Sequence, residues 1–470
     1  MMAVESFSEK HAEVIADPAS ARTSEGRLKK QARATRLEVL KGRDNYTNLS
    51  HLAFVYAVLA TTIAGTIWAY YAIAAAGYSW WWTVPLTVVS VIIIGAGQHQ
   101  FGGVIHEGTH YILFANRRFN ELASDWLAAF PIYTSTYAFR LHHLAHHQFV
   151  NDPVRDPNFD QAKDSGHWLD FPIAHIDLLV AIVKMLWPPH LISYIAARVR
   201  YSAIGVDTNP YADKSKPGSP WSIRAPVLYA IVAPFTAVAF VEAAMPMLAI
   251  ATVVGGWLAV SAFLWFAGEE AFAKSKIDPV ISHRATGIGR LAYIAIVYTG
   301  LTLTNIVTGA PAWGFYGLLW ILPLFTSFPL FMVLREWVQH GNADRGRYTN
   351  TRTFLVKNPF IRFAIFPWGM DYHLSHHLFA SVPHYKLKEL HAFLMEDPKY
   401  AEKGLIVEGW AKSRTPEHPT IVEVLGPGYA PDGQGDVHVD DATLADADVN
   451  DKAGLAAQIA ASRAAGQNHS

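Results

Sequence analysis

Three stretches of the chain almost lack charge. Leu52 to Ile105 and Leu291 to Leu334 contain no Asp, Glu, Lys or Arg, and Ala225 to Gly268 contains only Glu242. A helix needs about 20 apolar residues to cross a bilayer, so each stretch is long enough for two. Each also breaks near its middle, at Gly77 to Trp82, at Glu242 to Pro246 and at Gly309 to Pro311. The pattern predicts six spans, at about 52–76, 83–103, 225–241, 247–267, 291–308 and 312–334. The run Trp80-Trp81-Trp82 suits an interfacial aromatic belt at the first hairpin tip. A soluble α protein with a large core is the competing reading, and paired uncharged stretches of this length argue against it.

Cations set the expected orientation. Arg22 to Arg43 holds eight Lys and Arg, and the loop near 269–290 carries Lys274, Lys276, Arg284 and Arg290. Arg117, Arg118 and Arg140 follow the second span, Arg335 follows the sixth, and the hairpin tips have no Lys or Arg. The positive-inside rule then places both termini and the long 106–224 segment in the cytoplasm. The expected location is a bacterial inner membrane. The first apolar run starts too late for a cleavable signal. Residues 1–45 read as a partly disordered N-terminal segment with a basic helix over 22–45, and 46–428 as one membrane domain. Residues 429–470 read as a flexible tail, with seven Asp against Lys452 and Arg463.

Composition narrows the chemistry. Only 16% of the 470 residues are charged, against about 25% in soluble domains, and mean hydropathy is +0.15. A net charge of −1 offers nucleic acid no basic field. Cysteine is absent, which excludes disulfides, Cys-ligated zinc, haem–thiolate chemistry and a fused ferredoxin or rubredoxin.

Histidine is the outlier, with 22 residues, and its placement carries the functional signal. His106-Glu-Gly-Thr-His110 follows the second span directly. His143-Leu-Ala-His146-His147, preceded by His142, and His373-Leu-Ser-His376-His377 repeat one spacing. His340 closes Arg335-Glu-Trp-Val-Gln-His340 after the sixth span. Residues four apart share a helix face, so His106 and His110 project side by side. Each triplet fits within an arc of about 100° on a helix. Among 22 His in 470 residues, one His-x-x-His-His arrangement arises by chance roughly 0.05 times. Imidazole suits Zn, Cu, Fe and Ni alike. Eight clustered histidines exceed one tetrahedral zinc site and would suit two metals with open positions. His99 and His142 are read as ordinary histidines, as His340 would be on its own.

Two other classes fit less well. His106-Glu107-x-x-His110 matches the zinc metalloprotease motif, but an intramembrane protease leaves both triplets idle. A metal transporter would carry its ionisable groups at mid-membrane rather than at span ends.

From about His106 to Leu394 the chain resembles the membrane fatty acid desaturase and hydroxylase superfamily. The likeness rests on the three histidine boxes in order and the spans between them. Asn116-Arg-Arg-Phe-Asn120, Arg155-Asp-Pro157, and His376-His-Leu-Phe379 leading to Val382-Pro-His-Tyr385 add to it. The resemblance implies an all-α membrane helical bundle whose cytoplasmic cap holds a non-haem di-iron centre. It implies His106, His110, His143, His146, His147, His373, His376 and His377 as ligands to the two irons, with His340 as an isolated further ligand. The implied reaction is O2-dependent oxidation of an unactivated C–H bond of a lipid. Fatty acyl desaturation is the first reading, and hydroxylation or ketolation of an alkane, sterol or carotenoid the alternative. The chain departs from the pattern at Ala380, where members often have proline, and in six spans where many have four. His418-Pro419 continues as Thr420-Ile421, so the fused cytochrome motif His-Pro-Gly-Gly is missing. A separate electron donor is therefore expected: a ferredoxin, rubredoxin or cytochrome with its reductase. Glu107, Asp156 and Asp371 are candidates to hydrogen-bond ligand histidines. Glu336, one turn before His340, is a candidate ligand, or else pairs with Arg335 or Arg140.

Overall fold

In a computed structural model, residues 31–201 and 209–431 are described. Residues up to Gly42 form one unit, of which 31–41 are helical, and Arg43 opens the second. The expected disorder over 1–21, the first part of the expected basic helix (22–30) and the expected acidic tail beyond residue 431 lie outside the described residues.

Each uncharged stretch folds as a helical hairpin. Helix α1 (Thr47–Ala75) turns through the exposed indoles of Trp80–Trp82 into α2 (Thr83–Thr109). Five shorter helices follow: α3 (Arg117–Ser124), α4 (Thr136–Gln148), α5 (Pro157–Asp164), α6 (His175–Lys184) and α7 (Pro188–Val199). The second hairpin is α8 (Trp221–Glu242) with α9 (Pro246–Phe266), and the third pairs α10 (His283–Thr308) with a broken span, Ala312–His340. The last leg of that span is α11 (Ser327–His340), and α12 (His373–Leu378) lies beyond it. Among the described residues one parallel ladder occurs, β1 (Thr353–Leu355) on β2 (Ile406–Glu408). The chain is thus an all-α membrane bundle with six helices long and apolar enough to cross a bilayer.

Several spans outrun the limits expected from charge, the first starting at Thr47 rather than 52 and the fifth at His283 rather than 291. The second continues to Thr109 rather than 103, and the sixth to His340 rather than 334. Charge marks where a helix leaves lipid, not where it stops. His106, Glu107 and Gln339 are buried against other elements, so nothing ends these helices until a residue leaves helical geometry, as Gly341 does. The 106–224 segment also differs from a plain cytoplasmic loop. Within it α6 and α7 are together apolar enough for a span, yet bend by 76° where they meet. Ile176, Val183 and Trp187 on this pair are exposed.

Two core clusters knit the spans together. One joins α1, α2 and the sixth span through Leu52, Val55, Phe101, Val104 and Phe328. The other joins α8, α9 and α10 through Tyr229, Val253, Leu264 and Leu291. Trp68, Phe235, Met247 and Phe266 face outward, which suits a lipid solvent. The sixth span is broken by a π-turn at Gly317–Ile321, just before Pro323, and again at Thr326, three residues before Pro329. Proline there withholds a backbone donor, which accounts for the kink.

Close backbone approach holds the sixth span to α2. Ser327 Oγ donates to the Val91 carbonyl at 2.6 Å, and a Cβ on Gly95 would lie 2.8 Å from the backbone nitrogen of Phe328. Small residues permit such contacts between membrane helices. Backbone cannot rotate aside, so Gly95→Ala should destabilise by about 1–3 kcal/mol, as overpacking does elsewhere. A detergent-solubilised variant melting at the wild-type temperature would contradict this packing.

Candidate metal centre

Four elements deliver imidazoles to one region at the ends of the spans. Helix α2 presents His106 one turn before its terminal His110. Helix α4 starts at a Ser135 cap, whose hydroxyl accepts from the Ala138 N–H, and carries His143, His146 and His147 in its last two turns. Helix α12 is only six residues long and holds His373, His376 and His377. Helix α11 ends on His340.

The nine side chains sort into two groups. His106, His110, His143, His147 and His376 form one, and His146, His340, His373 and His377 the other, with ligand atoms in each group within 4.8 Å of one another. Both triplets are split by the same rule. Residues i and i+4, only 40° apart on a helix, stay together: His143 with His147, and His373 with His377. The i+3 member, 60° to the other side, crosses to the opposite group. Two antiparallel demands on one short helix are met by one spacing.

These groups fit metal ions. Two nitrogens bound cis to one ion at about 2.1 Å lie about 3.0 Å apart. Nε2 of His110 is 3.0 Å from that of His143, and Nε2 of His147 is 3.1 Å from that of His376. In the second group His373 Nε2 lies 3.0 Å from both His340 Nε2 and His377 Nε2. His106 is buried, and neither of its ring nitrogens has a hydrogen-bond partner. A buried polar group in that state is costly unless something takes its lone pair. Burial, reinforced by neighbouring imidazoles, holds His143, His373, His376 and His377 well below the ordinary imidazole pKa. They stay neutral at pH 7, the form that binds metal.

Hydrogen bonds orient two of the rings. Asp156 accepts from His146 Nδ1 at 2.9 Å, which turns Nε2 toward the group. Burial opposes charge on His146, but this carboxylate outweighs it and raises the pKa. His340 Nδ1 donates to the Asn350 carbonyl at 3.1 Å, with the same effect. The other two candidate acids face elsewhere. Glu107 Oε2 accepts the His384 backbone N–H at 3.0 Å, and its other oxygen is 3.7 Å from His106 Nδ1. Asp371 pairs with Arg362 at 3.2 Å, and burial pushes its pKa up to about 6. His99 donates from Nδ1 to the Ala364 carbonyl, and His142 joins the Asn158 side chain; neither belongs to a group.

Glu336 does not join a group either. It sits 3.1 Å from Arg335 and accepts from Asn158 Nδ2 at 3.3 Å. The Glu336→Gln variant should therefore keep its full metal content. Loss of one metal per chain by elemental analysis would make Glu336 a ligand.

Arg140, counted among the loop cations in the sequence, is fully buried. Its guanidinium pairs with both Glu121 oxygens, at 2.6 and 3.0 Å. It also donates to the Gly108 and Thr109 carbonyls at 3.0 and 3.1 Å. Those carbonyls end α2, where helices leave acceptors unpaired. Asn120 Nδ2 donates to Gly108 O as well, at 2.9 Å. Arg140 thus ties the His106/His110 helix to the His143 helix. Nothing local in the sequence marks this residue, or Asn350, since their partners lie on distant elements.

A cavity of about 410 Å³ opens beside the imidazoles. His106, His143, His146 and His340 contribute to its wall, together with Phe139, Phe159, Phe328 and Met332.

Residues 79–288 and 263–407 match the family model described as fatty acid desaturase. Dihydrorhizobitoxine desaturase of Bradyrhizobium elkanii is 24% identical over 379 residues, covering 78% of this chain and 82% of that protein. Delta(5) fatty acid desaturase fat-4 of Caenorhabditis elegans is 37% identical over 71 residues, which are 15% of this chain and 16% of that protein.

Proposed function

The chain belongs to the fatty acid desaturase family, and on that premise we propose that it is a di-iron enzyme that desaturates a fatty acyl chain. The family makes it a membrane oxidoreductase with a lipid substrate. The observation that supports the finer reading is the division of nine imidazoles into groups of five and four. Each group has enough neutral donors for one metal while leaving a position open.

Bound iron would supply O2 activation at the unactivated C–H bond. Overall, two hydrogens leave the substrate and O2 is reduced to two waters, with two electrons and two protons from outside. The protein's part is orientation and exclusion of water. Asp156 and the Asn350 carbonyl hold His146 and His340 in the tautomer that presents Nε2. Phe139, Phe328 and Met332 offer an alkyl chain an apolar wall beside the imidazoles. With neither cysteine nor His-Pro-Gly-Gly in the sequence, the electrons would come from a separate ferredoxin, rubredoxin or cytochrome with its reductase. The loop cations favour a cytoplasmic position for the centre and both termini.

Lipid analysis of a host expressing the protein tests this reading. New double bonds in its acyl chains are expected. Hydroxylated or keto products without unsaturation would favour the alternative reaction. Purified protein should hold two irons per chain and stay inert with NAD(P)H and substrate until carrier and reductase are added. Stoichiometric zinc without iron, or unaided turnover, would overturn the proposal.

A further inference from the structure

The cavity beside the imidazoles carries two guanidiniums, Arg198 and Arg335, and they differ in one respect. Arg335 is matched, with Glu336 Oε1 at 3.1 Å from its NH2 and His99 Nε2 at 3.2 Å from its NH1. Arg198, near the end of α7, has no carboxylate within ion-pairing distance among the described residues. Its NH1 donates to the Tyr194 hydroxyl at 3.2 Å and to the Met332 thioether at 3.0 Å. Its guanidinium lies over the Phe328 ring, 4.5 Å from the centroid. Tyr194 and Phe328 are buried, and Arg198 is half-buried.

Buried Arg352 has the Gly341 carbonyl in place of a carboxylate, whereas four other guanidiniums have an anion. Arg140 has Glu121, Arg345 has Asp152, Arg284 has Glu269 and Arg362 has Asp371. A thioether is a weak acceptor, and a ring face takes none of the donors in the plane of the fork. Most of the five N–H groups of Arg198 therefore remain for a ligand, and their planar fork matches an oxyanion. Metal ions on neutral imidazoles would add positive charge to the same cavity.

We propose that Arg198 is the anion-binding group of this cavity, taking a terminal oxyanion, carboxylate or phosphate, of the substrate. The wall then reads as one ruler. Arg198 holds the charged end, Phe328 and Met332 flank the alkyl chain, and the distance to the imidazoles selects the carbon. An ester, thioester or hydrocarbon lacks a charged group at the end of its chain and gains nothing from Arg198. The inference rests on the proposed function for the identity of the ligand as substrate, while binding is measurable without turnover.

The test uses the full chain in phosphatidylcholine nanodiscs, with dodecanoate, dodecyl phosphate and dodecanamide as probes of equal chain length. Wild type should bind one or both oxyanions roughly 10- to 100-fold more tightly than the amide, the worth of a charge-assisted hydrogen bond. The preferred oxyanion identifies the carboxylate or the phosphate. Arg198→Gln should lose that preference with amide binding unchanged, and Arg198→Lys should restore part of it. Equal binding of all three probes to wild type would overturn the inference without any variant. So would Arg198→Gln weakening all three alike, since that marks a packing role. Charge discrimination with no desaturation of the preferred oxyanion once carrier and reductase are supplied would sink the proposed reaction alone. Desaturation of host lipids without charge discrimination would sink this inference alone.

Discussion

His376→Ala should remove all turnover and one metal per chain while membrane insertion stays intact. His376 is fully buried on α12, and it is the one member of the five-histidine group that comes from the third box. Its ring centroid lies 4.4 Å from that of His106 and 4.8 Å from that of His147. Through it the last box closes a group otherwise built by α2 and α4. Lipid-facing contacts and span hydrophobicity are untouched by the change, so insertion is unaffected. His146→Ala is the counterpart for the other group, since His146 alone brings α4 to it. Elemental analysis and product assays on both variants decide the matter. Near-normal activity with both metals retained in either one would mean the triplets are not ligands.

Arg140→Leu should destabilise the protein by about 3–5 kcal/mol, the usual result of stranding one partner of a buried ion pair. Arg140 and Glu121 are both buried and bonded at two points. Removing the guanidinium leaves the Glu121 carboxylate without its cation and the Thr109 carbonyl without its side-chain donor, while the Gly108 carbonyl keeps Asn120. The double change Arg140→Leu with Glu121→Leu should recover much of the loss, because a buried pair replaced by apolar residues is often tolerated. Thermal unfolding in detergent measures both. If single and double variants melted together, the carbonyl contacts rather than the ion pair would carry the effect. His110 and His143 sit on the helices that Arg140 joins through the Gly108 and Thr109 carbonyls, so reduced metal content should accompany the single variant.

Span number and the faces of the histidine boxes were legible in the sequence because both are local. A run of uncharged residues long enough for two helices needs no knowledge of its neighbours, and a break such as Gly309 to Pro311 marks the turn. The i, i+4 spacing of His106 and His110 follows from helical rise alone. Outcomes that depend on a partner far along the chain were not legible. Which metal group each box histidine joins depends on how α4 and α12 pack together, residues 143–147 against 373–377. The ends of the second and sixth spans were misjudged for the same reason, since His106, Glu107 and Gln339 are sheltered by elements the local pattern does not reveal. Glu336 could be placed one turn from His340, but its turn toward Arg335 and Asn158 came from α5 lying alongside. Arg140 looked like a loop cation until Glu121 and the end of α2 enclosed it. Helical periodicity is a property of the nearest few residues and is written in the chain. Burial and partnership are properties of what packs from outside, and only the assembled bundle determines them.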